Sequence, residues 1–108
     1  MTLQFKRGAS FELEITLTDD AGDPVIIDVA DMRAELRDGS TLVSVLDIAT
    51  TVTPGTYLLS TDDDTSDWSY GLHMTDIRAE IGDKVRYSDT VSIAVVEQIT
   101  RVEEEPEV

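Results

Sequence analysis

The stretch SFELEITLTDDAGDPVIID, residues 10–28, decides the fold. In its first half an apolar side chain occupies every second position, and Glu or Thr fills the positions between. Successive side chains of a β-strand point to opposite faces, so this alternation predicts a strand with one face on a core and one in water. The apolar set comprises Phe11, Leu13, Ile15 and Leu17.

The acidic break DDAGDP, residues 19–24, interrupts this pattern, and two interpretations of it stay open. It is either a bend between two strands or a loop whose carboxylates hold a hard cation such as Ca²⁺. The bend is favoured because Gly22 accepts positive φ and Pro24 begins the next segment with φ fixed. The segment VIID, residues 25–28, then predicts a short strand.

Strand signals continue through the middle of the chain. DMRAELRD, residues 31–38, alternates again, and the RDGS turn that follows predicts a hairpin with TLVSVLDI, residues 41–48, as the returning strand. In TVTPGTYLLST, residues 51–61, a Pro54–Gly55 turn precedes a further predicted strand through Tyr57 and Leu59. The side chains predicted to face inward on residues 31–38 are Met32, Ala34 and Leu36.

The C-terminal third carries a change of phase. Apolar residues lie in phase at 70, 72 and 74, and then at 77, 79 and 81, so we expect a bulge or bend near Thr75. The GDK turn at 82–84 leads into a long final strand, or a pair of short strands, over residues 85–101. Its inward face is predicted to be Val91, Ile93 and Val95.

Together these signals predict about seven to eight short strands and no helix longer than about ten residues. Turn signals recur every 8 to 12 residues or so, which is typical of an antiparallel β-sandwich or small barrel. The 108 residues suit one domain, which we place at residues 1–101. Residues 102–108, VEEEPEV, are predicted to be a solvated acidic tail.

Charge and composition exclude several classes of function. With 23 acidic and 8 basic residues the net charge is −15, which disfavours binding to nucleic acid or to anionic membranes. The absence of cysteine excludes disulfides and thiolate metal sites. We find no signal peptide and no apolar run near the roughly 18 residues of a membrane span.

No catalytic, cofactor or metal motif is present, so we predict a protein that is not an enzyme and holds no cofactor. The acidic run of residues 62–67 does not match an EF-hand loop; turn and capping roles are favoured over a calcium site, and one helical turn with an Asp cap is expected there. His73 is the one histidine, and no motif beside it suggests a general base.

Four residues are candidates for contacts with a partner protein: Lys6, Arg7, Trp68 and Arg101. Lys6 and Arg7 form a positive spot on a negative chain. For Trp68 two interpretations stay open, a core anchor at one end of the fold or an exposed aromatic hot spot.

The order of motifs resembles a small domain of tailed bacteriophages and prophages. The opening FKRGASFELEITLTDDAGDPVIIDVADMRAELRD, residues 5–38, resembles its basic–Gly step, alternating strand and DDxGxPV turn. DTSDWSYG, residues 64–71, resembles its DTxxWPxG step, with Ser69 in place of Pro. SDTVSIAVVEQITR, residues 88–101, resembles its closing strand.

This resemblance implies an immunoglobulin-like β-sandwich, similar to the N-terminal domain of upper-baseplate proteins. It implies a virion structural protein of the tail or baseplate that docks onto other virion subunits, is made in the host bacterial cytoplasm, and forms a homo-oligomer in the particle. Two alternatives stay open: a capsid decoration protein of the head, and a carbohydrate- or host-binding module at the tail tip.

Overall fold

The structure is a computed structural model that describes residues 2–97, and in this part of the chain it is all-β. Nine strands are joined by turns and by two 3-10 turns, Val29–Asp31 and Thr65–Asp67. The first five strands are β1 (Thr2–Lys6), β2 (Glu12–Thr16), β3 (Met32–Asp38), β4 (Thr41–Thr50) and β5 (Thr56–Ser60). The other four are β6 (Gly71–Thr75), β7 (Ile77–Ile81), β8 (Lys84–Tyr87) and β9 (Val91–Val96).

The strands form one curled sheet with the order β1-β9-β6-β3-β4-β5-β2, a half-barrel. β4 makes the curl, because its first half pairs with β3 and its second half pairs with β5. We call the part from β1 to the first half of β4 the large half-sheet; it includes β7 and β8, which extend β6 and β9 as a hairpin. The small half-sheet comprises the second half of β4, β5 and β2.

The prediction of a purely antiparallel sheet is wrong, because β1 pairs in parallel with β9. The register runs from Thr2 opposite Ser92 to Lys6 opposite Val96. β1 itself was not among the predicted strands, although Leu3 and Phe5 alternate with polar residues. β1 pairs with a strand that lies about 90 positions further along the chain. No hairpin turn joins the two strands, so no local turn signal in the sequence indicates β1.

The core lies between the two half-sheets. The inward phase predicted for β2, β3 and β9 is confirmed, since Ile15 and Leu36 are buried, and so are Ile93 and Val95. Trp68 closes one end, with its ring 5.4 Å from Phe5 and 5.5 Å from Phe11, centroid to centroid. The buried apolar residues are Phe11, Ile15, Ala34, Leu36, Leu46, Tyr57, Leu59, Trp68, Ile77, Ala79, Ile93 and Val95.

The acidic break at residues 19–24 is a bend that Asp19 holds. Its carboxylate accepts the backbone N–H of Ala21 and of Asp23, each at 2.9 Å. Gly22 donates its N–H to the Asp19 carbonyl at 2.9 Å and has φ of 86°. Both N–H groups bond to the same oxygen, Oδ1 of Asp19, and this Asx-type turn accounts for an Asp at this position.

The predicted strand at residues 25–28 is wrong, because this segment has no ladder partner. It crosses instead between the half-sheets, where the Tyr57 hydroxyl donates to the Val25 carbonyl at 2.9 Å and accepts from the Ile27 N–H at 3.0 Å. A side chain thus satisfies backbone groups that a neighbouring strand would have satisfied.

The change of phase expected near Thr75 is also wrong. Alternation runs unbroken through β6 and β7, with the inward side chains of His73, Thr75, Ile77 and Ala79 all buried. The irregularity lies on the partner strand, where residues 88–90 lie opposite residues 76–77. Leu72 and Met74 therefore point outward, while a histidine and a threonine occupy the core.

This arrangement of β6, with its polar side chains in the core and its apolar side chains outward, is called the inversion below. It leaves buried polar atoms without hydrogen-bond partners. The Nε2 atom of His73 and the Oγ1 atom of Thr75 have no hydrogen-bond partner among residues 2–97. A buried hydroxyl without a partner costs about 1–3 kcal/mol. The outward register of Leu72 and Met74 is therefore maintained at a cost in stability.

Thr75→Val should raise the free energy of unfolding by about 1–2 kcal/mol, because it removes the unsatisfied hydroxyl and keeps the branched shape. Thr65→Val is the matched control: Thr65 is equally buried, but its hydroxyl accepts from Gly8 N–H at 2.9 Å and donates to the Ala9 carbonyl at 2.7 Å. The free energy of unfolding of the Thr65→Val control should fall by about 1–3 kcal/mol. Urea unfolding of both variants measures the pair, and a destabilised Thr75→Val would contradict the inversion.

Candidate docking face

The outward side chains of β3, the first half of β4, β6 and β7, together with Asp76 between β6 and β7, form a single surface of the large half-sheet, which we call the docking face. Register fixes its layout: Arg37 on β3 lies opposite Met74 on β6 and opposite Leu42 on β4. In the next row, Glu35 lies opposite Val45. Its members are Arg33, Glu35, Arg37, Leu42, Val45, Leu72, Met74, Asp76, Arg78 and Glu80.

Large apolar side chains are exposed on this face. Leu42, Val45, Leu72 and Met74 are each 45–48% exposed, and so is Tyr70 at the edge of the face. Single exposed apolar residues are ordinary, but a group of them on one sheet face marks an interaction site. The group is more informative here because polar His73 and Thr75 take the buried positions of the same strand.

The charged side chains of the face are held in place by ion pairs. Glu35 lies between two arginines, with its carboxylate 2.6 Å from Nη2 of Arg37 and 2.7 Å from Nη2 of Arg33. These arginines, Arg37 first, hold the pKa of Glu35 below its ordinary value. Glu80, at 3.1 Å, and Tyr87 raise the pKa of Arg78. Such pairing fixes the direction of the guanidinium groups on the surface.

The docking face is electrically neutral on a strongly acidic chain. Its three arginines offset the three carboxylates of Glu35, Asp76 and Glu80. Outside the face, residues 2–97 carry 16 acidic and four basic side chains. A partner that approaches the face therefore meets far less charge repulsion than it meets elsewhere.

A shallow depression of about 620 Å³ lies on the same face. Arg33, Glu35, Arg37 and Met74 line it, with Tyr87 at its side. A hollow lined mainly by charged groups, with Met74 and Tyr87 among them, suits polar protruding side chains of another protein surface. The docking face therefore combines exposed apolar area, fixed polar groups and a concave shape.

Sequence reasoning missed this face. The outward phase of Arg33, Glu35 and Arg37 was predicted, but Leu72 and Met74 were assigned inward because apolar residues normally face a core. One signal in the sequence could have indicated this face. His73 and Thr75 alternate with Leu72 and Met74, and the fold buries His73 and Thr75.

Two of the four predicted contact residues are accessible. Lys6 is exposed at the end of β1, and Arg7 is half-buried beside the docking face. The Arg7 guanidinium lies 4.1 Å from the centroid of the Tyr70 ring, and its Nη1 donates to the Trp68 carbonyl at 3.2 Å. Arg7 thus ties the end of β1 to the segment before β6. Arg101 and the acidic tail at 102–108 lie outside the described residues.

Trp68 lies in the core. It is only 5% exposed and also stacks at 6.4 Å on the His73 ring. Of its two interpretations, the core anchor agrees with this position, and the ring is not available to a partner or a sugar in this conformation.

The acidic residues of the second break have local roles. Asp64 caps the 3-10 turn by accepting the Ser66 N–H at 3.0 Å, as expected for an Asp cap, and Ser66 lowers its pKa. Asp63 accepts from the Ser44 hydroxyl at 2.7 Å. Within residues 2–97 there is no group of three or more His, Asp or Glu side chains arranged to hold a metal ion.

Among the described residues no helix has the length and apolar character needed to cross a membrane. Comparison with known proteins found no matching family model, no matching curated protein and no matching solved structure. The assignment of function therefore depends on the docking face and on the motifs that resemble phage domains.

Proposed function

We propose that the chain is a structural protein of a tailed-bacteriophage virion, a subunit of the tail or baseplate that acts by docking onto other virion proteins. The observation that carries the docking role is a face of zero net charge, with four large apolar side chains exposed on it, on an otherwise acidic molecule. The virion role comes from the resemblance of three stretches of the sequence, in order, to phage tail and baseplate domains.

The strand order supports the immunoglobulin-like part of this proposal. β2-β5-β4 are neighbours in the order of strands B, E and D of an immunoglobulin sandwich, and β3-β6-β9 are neighbours in the order of strands C, F and G. Two half-sheets that enclose one core match the layers of such a sandwich. The continuous β4, which joins both layers, departs from the separate sheets of that fold.

The partner chemistry follows from the docking face. A partner needs an apolar surface with carboxylates and cationic groups placed among its apolar side chains, as protein interfaces have. Nucleic acid and anionic lipid do not fit, because the rest of the chain repels phosphate groups. The proposed location is the virion, after synthesis in the host bacterial cytoplasm.

Particle incorporation tests the proposed function. Purified particles of the phage that encodes the chain should contain it by mass spectrometry, and a labelled antibody should mark the tail or baseplate. Labelling of the head would instead indicate a capsid decoration protein. Absence from particles would overturn the virion role.

A matched pair of variants links incorporation to the docking face. Leu72→Glu with Met74→Glu places two carboxylates on the face, and incorporation should fall at least tenfold. Ile26→Glu with Val52→Glu adds the same charge at exposed apolar positions of loops outside the face, and incorporation should stay unchanged. Equal loss in both pairs would show that charge alone, and not the face, determines the result.

A further inference from the structure

We infer that the docking face contacts the same face of a second copy, so that the chain forms a dimer with twofold symmetry. This deepens the proposed function by naming a second copy of the chain as the virion protein bound at the docking face, and it rests on that face. Charge indicates which molecule covers the docking face. A second copy is as acidic as the first, and two such molecules can approach most closely at their neutral faces.

Other contacts between copies are disfavoured. Outside the docking face, residues 2–97 carry 16 acidic side chains against four basic ones, so any pairing of those surfaces brings like charges together. A contact between the face and an acidic surface of the next copy would leave the face's own carboxylates opposite carboxylates. Pairing face with face keeps both acidic surfaces pointing away from the contact.

The docking face is also complementary to itself. It carries equal numbers of arginines and carboxylates, so neither copy meets an excess of its own sign on the other. Its apolar side chains, Leu42, Val45, Leu72 and Met74, can pack against their own equivalents and leave water. A surface used twice in one interface requires such balance, since an excess of one sign would repel its own copy.

Sedimentation velocity on the full chain tests the dimer. At concentrations up to about 100 μM, well above a micromolar Kd of the kind that small interfaces show, the wild-type mass should approach twice 11.9 kDa. Leu72→Glu with Met74→Glu should raise the dimer Kd at least a hundredfold. Ile26→Glu with Val52→Glu should change it less than threefold.

Salt dependence provides a second readout. Since the contact is neutral and the remaining surfaces repel, raising the ionic strength from about 0.01 M to about 0.1 M, which shortens the Debye length from about 30 Å to about 10 Å, should lower the dimer Kd. A contact made by attraction between opposite net charges would weaken instead. Circular dichroism and urea midpoints confirm that each variant is folded.

Four outcomes overturn the inference: a wild-type monomer throughout, an assembly larger than a dimer, equal dissociation in both variant pairs, or a dimer that salt weakens. Failure here and failure of the proposed function are distinguishable. A monomer whose face variant still fails to enter particles keeps the docking role with a different partner. A dimer that is absent from particles keeps this inference and removes the virion role.

Discussion

Trp68→Ala should lower the free energy of unfolding by about 3–5 kcal/mol, which is the usual cost of removing a buried aromatic ring. The ring is 5% exposed and contacts Phe5, Phe11 and His73 at the end of the core. The free energy of unfolding of a whole domain is only about 5–15 kcal/mol, so the variant should unfold at a much lower urea concentration than the wild type.

Tyr70→Ala is the matched control, because it removes a second aromatic ring two residues away that is 48% exposed. Its loss should be about 1 kcal/mol or less, the value of an exposed cation–π contact with Arg7. Urea unfolding followed by far-UV circular dichroism compares both variants, since fluorescence depends on the tryptophan itself. A Trp68→Ala variant as stable as the control would exclude the core anchor and return Trp68 to the set of partner contacts.

Much of the fold was predictable wherever alternation and turn chemistry agree. Strict apolar alternation assigned the inward faces of β2 and β3, and the Pro54–Gly55 turn located the start of β5. The two acidic breaks were predicted to act in turns and caps, and in each break one Asp, Asp19 or Asp64, accepts the backbone N–H two residues ahead. These features depend on local geometry, which a sequence contains in full.

The errors occurred where pairing is distant or where both phases of a strand are ambiguous. β1 joins a strand at the opposite end of the chain, and the segment at 25–28 lacks the neighbour that would make it a strand. In β6, apolar Leu72 and Met74 compete with His73 and Thr75 for the core. The continuous register of β6 and β7 with β3 settles that competition, and it buries the polar pair.

The docking face was also hard to predict, because the sequence does not decide which phase of β6 is buried. Its charged half on β3 was predicted to face water, but its apolar half on β6 and β4 becomes visible only when the buried phase is known. The same tertiary constraint explains both the unsatisfied atoms of the core and the exposed apolar group outside. A one-residue slip of β6 would exchange the two sets of side chains.

Gly55→Ala should lower the free energy of unfolding by about 2–5 kcal/mol, combining the strain of positive φ with overpacking. Gly55 has φ of 82°, and a Cβ there would lie 2.6 Å from the Pro24 Cβ and 3.1 Å from the Leu17 carbonyl oxygen. Neither neighbour can yield easily, because the Gly55 carbonyl accepts the Leu17 N–H at 2.8 Å and so fixes the two turns against each other.

Gly22→Ala separates the strain from the overlap. Gly22 has nearly the same φ, 86°, but nothing lies within 4 Å of a Cβ built on it. Gly22→Ala should therefore lower the free energy of unfolding only by the backbone strain of positive φ, about 1–2 kcal/mol. Urea unfolding of the two variants measures the difference, which represents the close packing of the β4–β5 turn on the acidic bend. Equal losses would mean that the bend is not held by this contact, and that the DDAGDP segment moves independently of the half-barrel.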